Sequence, residues 1–171
     1  MSAIKFKLRE FKSGDEKSLQ KNINDKDMAK NTLLIPYPYT KKDAQDWINR
    51  NLKLKRLKNR NEINFVIDIN NEVAGSVSFN KIDKNNKNAE IGCWLAKKYW
   101  NKGIMTGAVK QMIKYGFKKL KLKRIYAYIF PFNKASQRMT EKAGFQLEGK
   151  LRKHVIKNEK FYDDLLYAKI K

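Results

Sequence analysis

The run Ala89-Glu90-Ile91-Gly92-Cys93-Trp94-Leu95, followed after a polar stretch by Trp100-Asn101-Lys102-Gly103-Ile104-Met105-Thr106, decides the fold. The first segment reads as a strand. Lys97 to Lys102 turns the chain, and Gly103 opens a helix to about Leu120, on the spacing of Met105, Val109, Met112, Ile113 and Leu120. The first backbone N–H groups of a helix have no partner inside it, and the helix dipole is positive at that end. A phosphate-bearing ligand fits such an end, and glycine lets the backbone approach the phosphate oxygens. A glycine there is also an ordinary start for a surface helix, so the flanking sequence has to decide.

Upstream, Ile63 to Ile69, Glu72 to Ile82 and Ala89 to Ala96 are strand-like, joined by turns at Asn70-Asn71 and Lys84 to Asn88. Asn tolerates left-handed backbone, so this is an antiparallel meander. Further back, Ile4 to Phe11 alternates as a strand, and Gly14-Asp15 leads into a short helix near Glu16 to Asn24. Pro36 and Pro38 keep Asn31 to Tyr39 out of regular helix. Thr40 with Asp43 has the spacing of a cap ahead of a basic helix, Lys41 to Lys58. Downstream, Arg124 to Phe130 is β-rich, Asn133 to Ala143 is a helix stopped by Gly144, and strands at Lys150 to Lys157 and Phe161 to Lys169 flank a turn at Asn158-Glu159. Antiparallel strands followed by alternating strands and helices make an α+β domain, with helices flanking a central mixed, mostly antiparallel twisted sheet.

The 171 residues suit one domain spanning 1–171. Cys93 is the single cysteine, which excludes an internal disulfide and fits a reducing, cytoplasmic compartment. The N-terminal segment has no apolar core of signal-peptide length, and no apolar run approaches the roughly 20 residues of a membrane span. The net charge of +22 admits two readings, an acidic partner or a lysine-rich coding bias. The lysines are spread along the whole chain without interleaved stacking aromatics, so charge alone does not make a nucleic-acid binder.

Three stretches together resemble the GNAT superfamily of N-acetyltransferases, and within it the RimL/RimJ-like branch. They are the Ala89–Leu95 strand, the Trp100–Thr106 turn, and Asn133-Lys134-Ala135-Ser136 continuing through Lys142-Ala143-Gly144-Phe145 to Glu148-Gly149. The resemblance runs from about Glu72 to Lys171 and is weaker before that. Trp100, Asn101 and Met105 depart from it, standing where many relatives have Gln or Arg, Gly, and Gly or Ala. Gly107 stands where a stronger helix former is common and costs up to about 1 kcal/mol of helix propensity.

The resemblance implies direct transfer of acetyl from acetyl-CoA to a primary amine, without an acetyl-enzyme, and no Cys/His cluster in the sequence supports a metal site. The acceptor it implies is a protein N-terminal α-amino group, with a polyamine or antibiotic amine as the other enzyme reading. A catalytically inactive ribosome- or nucleic-acid-binding module is the reading from another class. Asn101, Lys102, Gly103, Ile104, Met105 and Thr106 would hold the pyrophosphate. Backbone N–H groups near Trp94 and Leu95 would polarise the thioester, and Asn133 would bond the pantetheine arm. Glu90 is the candidate base, acting through a water, although its spacing equally allows a cross-strand charge pair with a lysine. Ser136 is the candidate acid at the thiol, or else a local helix cap; Thr140 stands where many relatives have a tyrosine. Tyr37 and Tyr39 are candidate acceptor contacts, while Trp47 reads better as core. Cys93 reads as a buried apolar cysteine, and His154 as structural or at the substrate mouth. Ribosome association and a homodimer are left open.

Overall fold

Asn70 and Asn71 both take left-handed backbone, φ 54° and 63°. A two-residue hairpin needs that geometry, and it folds β2 (Ile63–Ile69) onto β3 (Glu72–Asp83) in the computed structural model, which describes residues 4–171. β4 (Asn88–Leu95) pairs with the other edge of β3, and β1 (Lys7–Glu10) with the outer edge of β2. β5 (Arg124–Ile129), β6 (Gln146–Lys157) and β7 (Lys160–Ile170) complete one seven-stranded sheet of order β1-β2-β3-β4-β5-β7-β6. Every pairing is antiparallel except β4 with β5.

Two apolar layers sandwich the sheet. α1 (Glu16–Ile23), α2 (Lys26–Asn31) and α3 (Lys41–Lys55) enclose one core with Phe11, Tyr39, Val66 and Val73. α4 (Ile104–Lys118) and α5 (Lys134–Lys142) enclose the other, where Met112, Phe79, Ile125 and Tyr167 are almost wholly buried. The Thr40 and Asp43 reading is met by a full capping box: Thr40 Oγ1 accepts from Asp43 N, and Asp43 Oδ2 accepts from Thr40 N. None of the helices among the described residues is long and apolar enough to cross a membrane.

Four boundaries differ from the sequence reading. α2 was not anticipated: Asp25 accepts from Asp27 N and Met28 N and starts a helix between the expected first helix and the Asn31–Tyr39 stretch. β6 begins at Gln146 rather than Lys150, and α3 ends at Lys55 rather than Lys58. β1 is confined to Lys7–Glu10. Gly107 now has a reason. A Cβ there would stand 3.2 Å from two ring carbons of Phe6, so the missing side chain is the seat of that ring on α4.

Candidate active site

β4 and β5 run side by side for three residues only, Asn88, Ala89 and Glu90 against Arg124, Ile125 and Tyr126. Beyond that point β4 stays on β3 as far as Leu95, and β5 stays on β7 as far as Ile129. The sheet therefore splits between its two parallel strands. The backbone facing the split is set by the ladder on the other side of β4. Ala96 N donates to Ala74 O (2.8 Å). Antiparallel ladders alternate, so Gly92 and Trp94 also turn their N–H and C=O to β3, while Ile91, Cys93 and Leu95 turn theirs into the split. Of the pair expected to polarise a thioester, Leu95 is the one whose N–H faces the opening.

Both helices that follow the parallel strands begin at the open end of the split, the place where open sheets bind ligands. At α4 the helix cap is Gly103, left-handed at φ 73°, with no side-chain cap and no acidic residue in the first turn. The first helical bond is Gly107 N to Gly103 O, which leaves the N–H groups of Ile104, Met105 and Thr106 unbonded among the described residues. A Cβ on Gly103 would meet nothing within 4 Å, so the approach is open. Asn101 is also left-handed (φ 60°) and exposed. Lys102 turns back, donating to Lys98 O at 2.8 Å and lying over the Tyr99 ring. Trp100 packs between the two cores and donates from Nε1 to Leu95 O (2.6 Å), fastening the turn to the end of β4. The departures from the family pattern leave the backbone cradle in place. Its donors suit a pyrophosphate, and the amide edges of the split suit a pantetheine arm.

Asn133 caps α5, its Oδ1 accepting from Ser136 N (3.1 Å), and its Nδ2 reaches Asn31 O at 3.4 Å. Ser136 is half-buried and its Oγ has no hydrogen bond among the described residues. Thr140 is buried. Glu90 lies on the sheet face opposite α4, with Gly92 and Trp94. Lys81 Nζ stands 2.9 Å from its Oε2, the cross-strand pair the spacing also allowed, and Glu90 holds that ammonium's pKa up. The approach is ionic only, since Oε2 is enclosed and has no hydrogen bond of good geometry among the described residues. Cys93 packs on the α4-side core, and burial pushes its thiol up to about 12, far from a nucleophilic thiolate.

The two tyrosines separate. Tyr39 is buried among Phe11, Leu19 and Ile48, its N bonded to Asn24 Oδ1 and its hydroxyl raised to about 12 by burial. It is a core residue, not an acceptor contact. Tyr37 is exposed, with Lys26 Nζ 5.7 Å from its ring. Trp47 packs edge-on against Phe11 in the core, as read from the sequence.

The sequence reading missed the rim of the open end. Lys157 Nζ donates to Ala29 O, Lys30 O (3.1 Å) and Thr32 O (2.6 Å), and burial lowers its pKa. It pins the end of α2 to the β6–β7 hairpin, beside the Phe130, Phe132 and Tyr162 rings. Leu33, Leu34, Phe132, Ile156 and Phe161 are exposed on these same segments. A lone lysine in a lysine-rich strand carries no sequence signal for that role.

Known proteins bear on this geometry. A family model described as an acetyltransferase (GNAT) domain matches residues 5–146. An uncharacterized N-acetyltransferase, p20, from Bacillus licheniformis is 30% identical over 164 residues, 96% of this chain and 92% of that protein. The crystal structure of MccE, a microcin self-immunity acetyltransferase in complex with acetyl-CoA and AMP, is similar at a TM-score of 0.87 and 29% identity, over 97% of this chain and 92% of that one. RimL, a ribosomal-protein alpha-N-acetyltransferase in complex with coenzyme A, is similar at 0.84 and 26% identity, over 96% and 93%.

Proposed function

The chain belongs to the GNAT acetyltransferase family and uses acetyl-CoA as donor, and on that premise we propose that its acceptor is a protein N-terminal α-amino group. The observation that carries this choice is the charge state of the acceptor side. The carboxylates beside the split and on α2 are engaged within the protein: Glu90 and Asp27 pair with Lys81 and Lys97, and Asp164 is bonded by His154. A polyamine needs free carboxylates and would approach against a field of +22. The exposed apolar rim suits the first side chains of a peptide instead. Similarity to RimL points the same way.

Acetyl-CoA supplies the activated acyl carbon. The N–H groups of Ile104, Met105 and Thr106 take the pyrophosphate, and those of Cys93 and Leu95 line the arm and the thioester oxygen. The amine must reach the carbonyl neutral and oriented. The Glu90 carboxylate, 20% exposed beyond its enclosed Oε2, accepts one N–H of the amine or of a bridging water and aims the nitrogen lone pair. As the C–N bond forms and the C–S bond breaks, Ser136 Oγ gives a proton to the departing sulfur.

Ser136→Ala is expected to lower kcat by about 10- to 100-fold, at or below the lower end for general-acid loss because a thiolate leaves readily. Glu90→Gln is expected to lower kcat/KM by about 10-fold. Both should leave acetyl-CoA affinity within about threefold. Steady-state kinetics with calorimetry checks this, and unchanged rates in both variants reject these roles. The acceptor is tested by mass spectrometry of a panel of peptides, polyamines and antibiotic amines with isotope-labelled acetyl-CoA. Label on peptide α-amines supports the proposal; label confined to the small amines rejects it.

A further inference from the structure

We propose that His154, held by the buried carboxylate of Asp164, takes the proton released by the acceptor amine. This inference rests on the acetyl-transfer reading above and names the group that the reading leaves open. His154 Nδ1 lies 2.9 Å from Asp164 Oδ2. Asp164 is 4% exposed, while the His154 side chain keeps 35% of its surface. A carboxylate accepts, so Nδ1 carries the hydrogen and Nε2 presents its lone pair; Nε2 has no hydrogen bond among the described residues.

The dyad lies beside the split. The His154 ring is 4.8 Å from that of Tyr128. Tyr128 comes two residues after Tyr126, where β5 parts from β4. Across the same Tyr128 ring, 5.9 Å from its centroid, is the Lys81 ammonium that pairs with Glu90. Asp164, Tyr128, Lys81 and Glu90 are titratable groups of this row, with Tyr126 beside Tyr128 and Arg124 over the Tyr126 ring. Asp163 turns away, accepting from Lys153 N and pairing with Lys150. The placement is built by an irregularity in the β6–β7 hairpin. From Val155↔Tyr162 to Leu151↔Asp164, β6 advances four residues while β7 advances two, and Lys153 is left-handed at φ 50°. Regular pairing would set His154 across from Asp163.

In the step, the amine nitrogen bonds to the acyl carbon and loses one proton to His154 Nε2. The imidazolium is stabilised by Asp164 and later gives its proton to solvent, while the departing sulfur takes a proton through Ser136 Oγ, which a water molecule reprotonates. The test is the kcat/KM of wild type divided by that of His154→Asn, measured from pH 5.5 to 9 with a peptide bearing a free α-amine. Dividing cancels the ionisation of the acceptor itself. The ratio should climb with pH through a single ionisation to a plateau of about 100. Asp164→Asn should lower the plateau rate, and the double variant should be no slower than His154→Asn alone. A ratio that is flat with pH, whether near one or uniformly high, overturns the proposal, because a structural role slows every pH alike. Should the peptide not be turned over, the acceptor reading fails by itself, and the same ratio is taken with whichever small amine the wild type acetylates.

Discussion

Replacing Gly103 with Asp should cost the protein no more than about 1–2 kcal/mol of stability, the strain of a side chain on left-handed backbone, while lowering its affinity for acetyl-CoA by about 100-fold, or about 2.7 kcal/mol. The two effects separate because one residue serves the fold and the ligand by different means. The fold asks only for left-handed backbone at position 103, φ 73°, which Asp and Asn adopt more readily than other side chains. Its added atoms enter open space. At the positive end of α4, which has no acidic residue in its first turn, a carboxylate is electrostatically welcome. For the ligand the same charge is opposed. It stands among the Ile104, Met105 and Thr106 N–H groups and repels the pyrophosphate they would bind. Gly103→Asn is the control, with nearly the same shape and no charge. It should stay within about tenfold of wild type. Equal losses in the two variants would mean that bulk, not phosphate at the helix end, is what position 103 controls.

The largest effect on stability is expected from Arg9→Leu, a loss of about 3–5 kcal/mol, the range for removing one partner of a buried ion pair. Arg9 grips Asp15 with both Nη atoms (2.8 and 2.9 Å) and Asp68 through Nε (2.5 Å). The two carboxylates are only 2% and 3% exposed. Lys12 N and Asn71 N give each carboxylate one further donor, which limits the loss but cannot replace the charge. For a chain of this size each kcal/mol moves Tm by roughly 2–4 °C, so calorimetry should read a fall of roughly 6–20 °C. The pH dependence carries a sign. Burial raises the Asp68 pKa, but Arg9 and Asn71 N outweigh it and hold the carboxyl below its ordinary value. The stability this brings is present above the unfolded pKa of about 4 and is lost as pH falls through the folded value. In the variant, acid instead relieves the orphaned Asp68 carboxylate. The gap in Tm should therefore be widest near neutrality and narrow below about pH 4. A gap that widens in acid would contradict the assignment.

The features legible in the sequence are those encoded over a few residues. Thr40 and Asp43 form a box within one turn, Asn70-Asn71 sets a hairpin, and Gly103 opens a helix. The Glu90–Leu95 strand with the Asn133–Ser136 helix pointed to the candidate site because strand, turn and helix lie in direct succession. What escaped depends on distant partners. Tyr39 looks like a loop aromatic, but its burial is decided by Phe11, Leu19 and Ile48 from three other segments. Asp164 finds His154 only because β6 carries two extra residues between Leu151 and Val155, and nothing in the alternation of either strand announces them. Lys157 became a clamp because α2, a six-residue helix, ends within reach of it. Such short helices are set by packing rather than by propensity.

The identity of the site comes down to whether the α4 end and the split hold coenzyme A. Titrating the wild-type protein with acetyl-CoA in a calorimeter at low ionic strength measures this directly. One site per chain is expected, with a dissociation constant in the range of roughly 1 μM to 1 mM usual for enzyme substrates. No saturable heat with ligand raised to about 10 mM, tenfold above that range, would contradict the assignment of the turn and of the enzyme together.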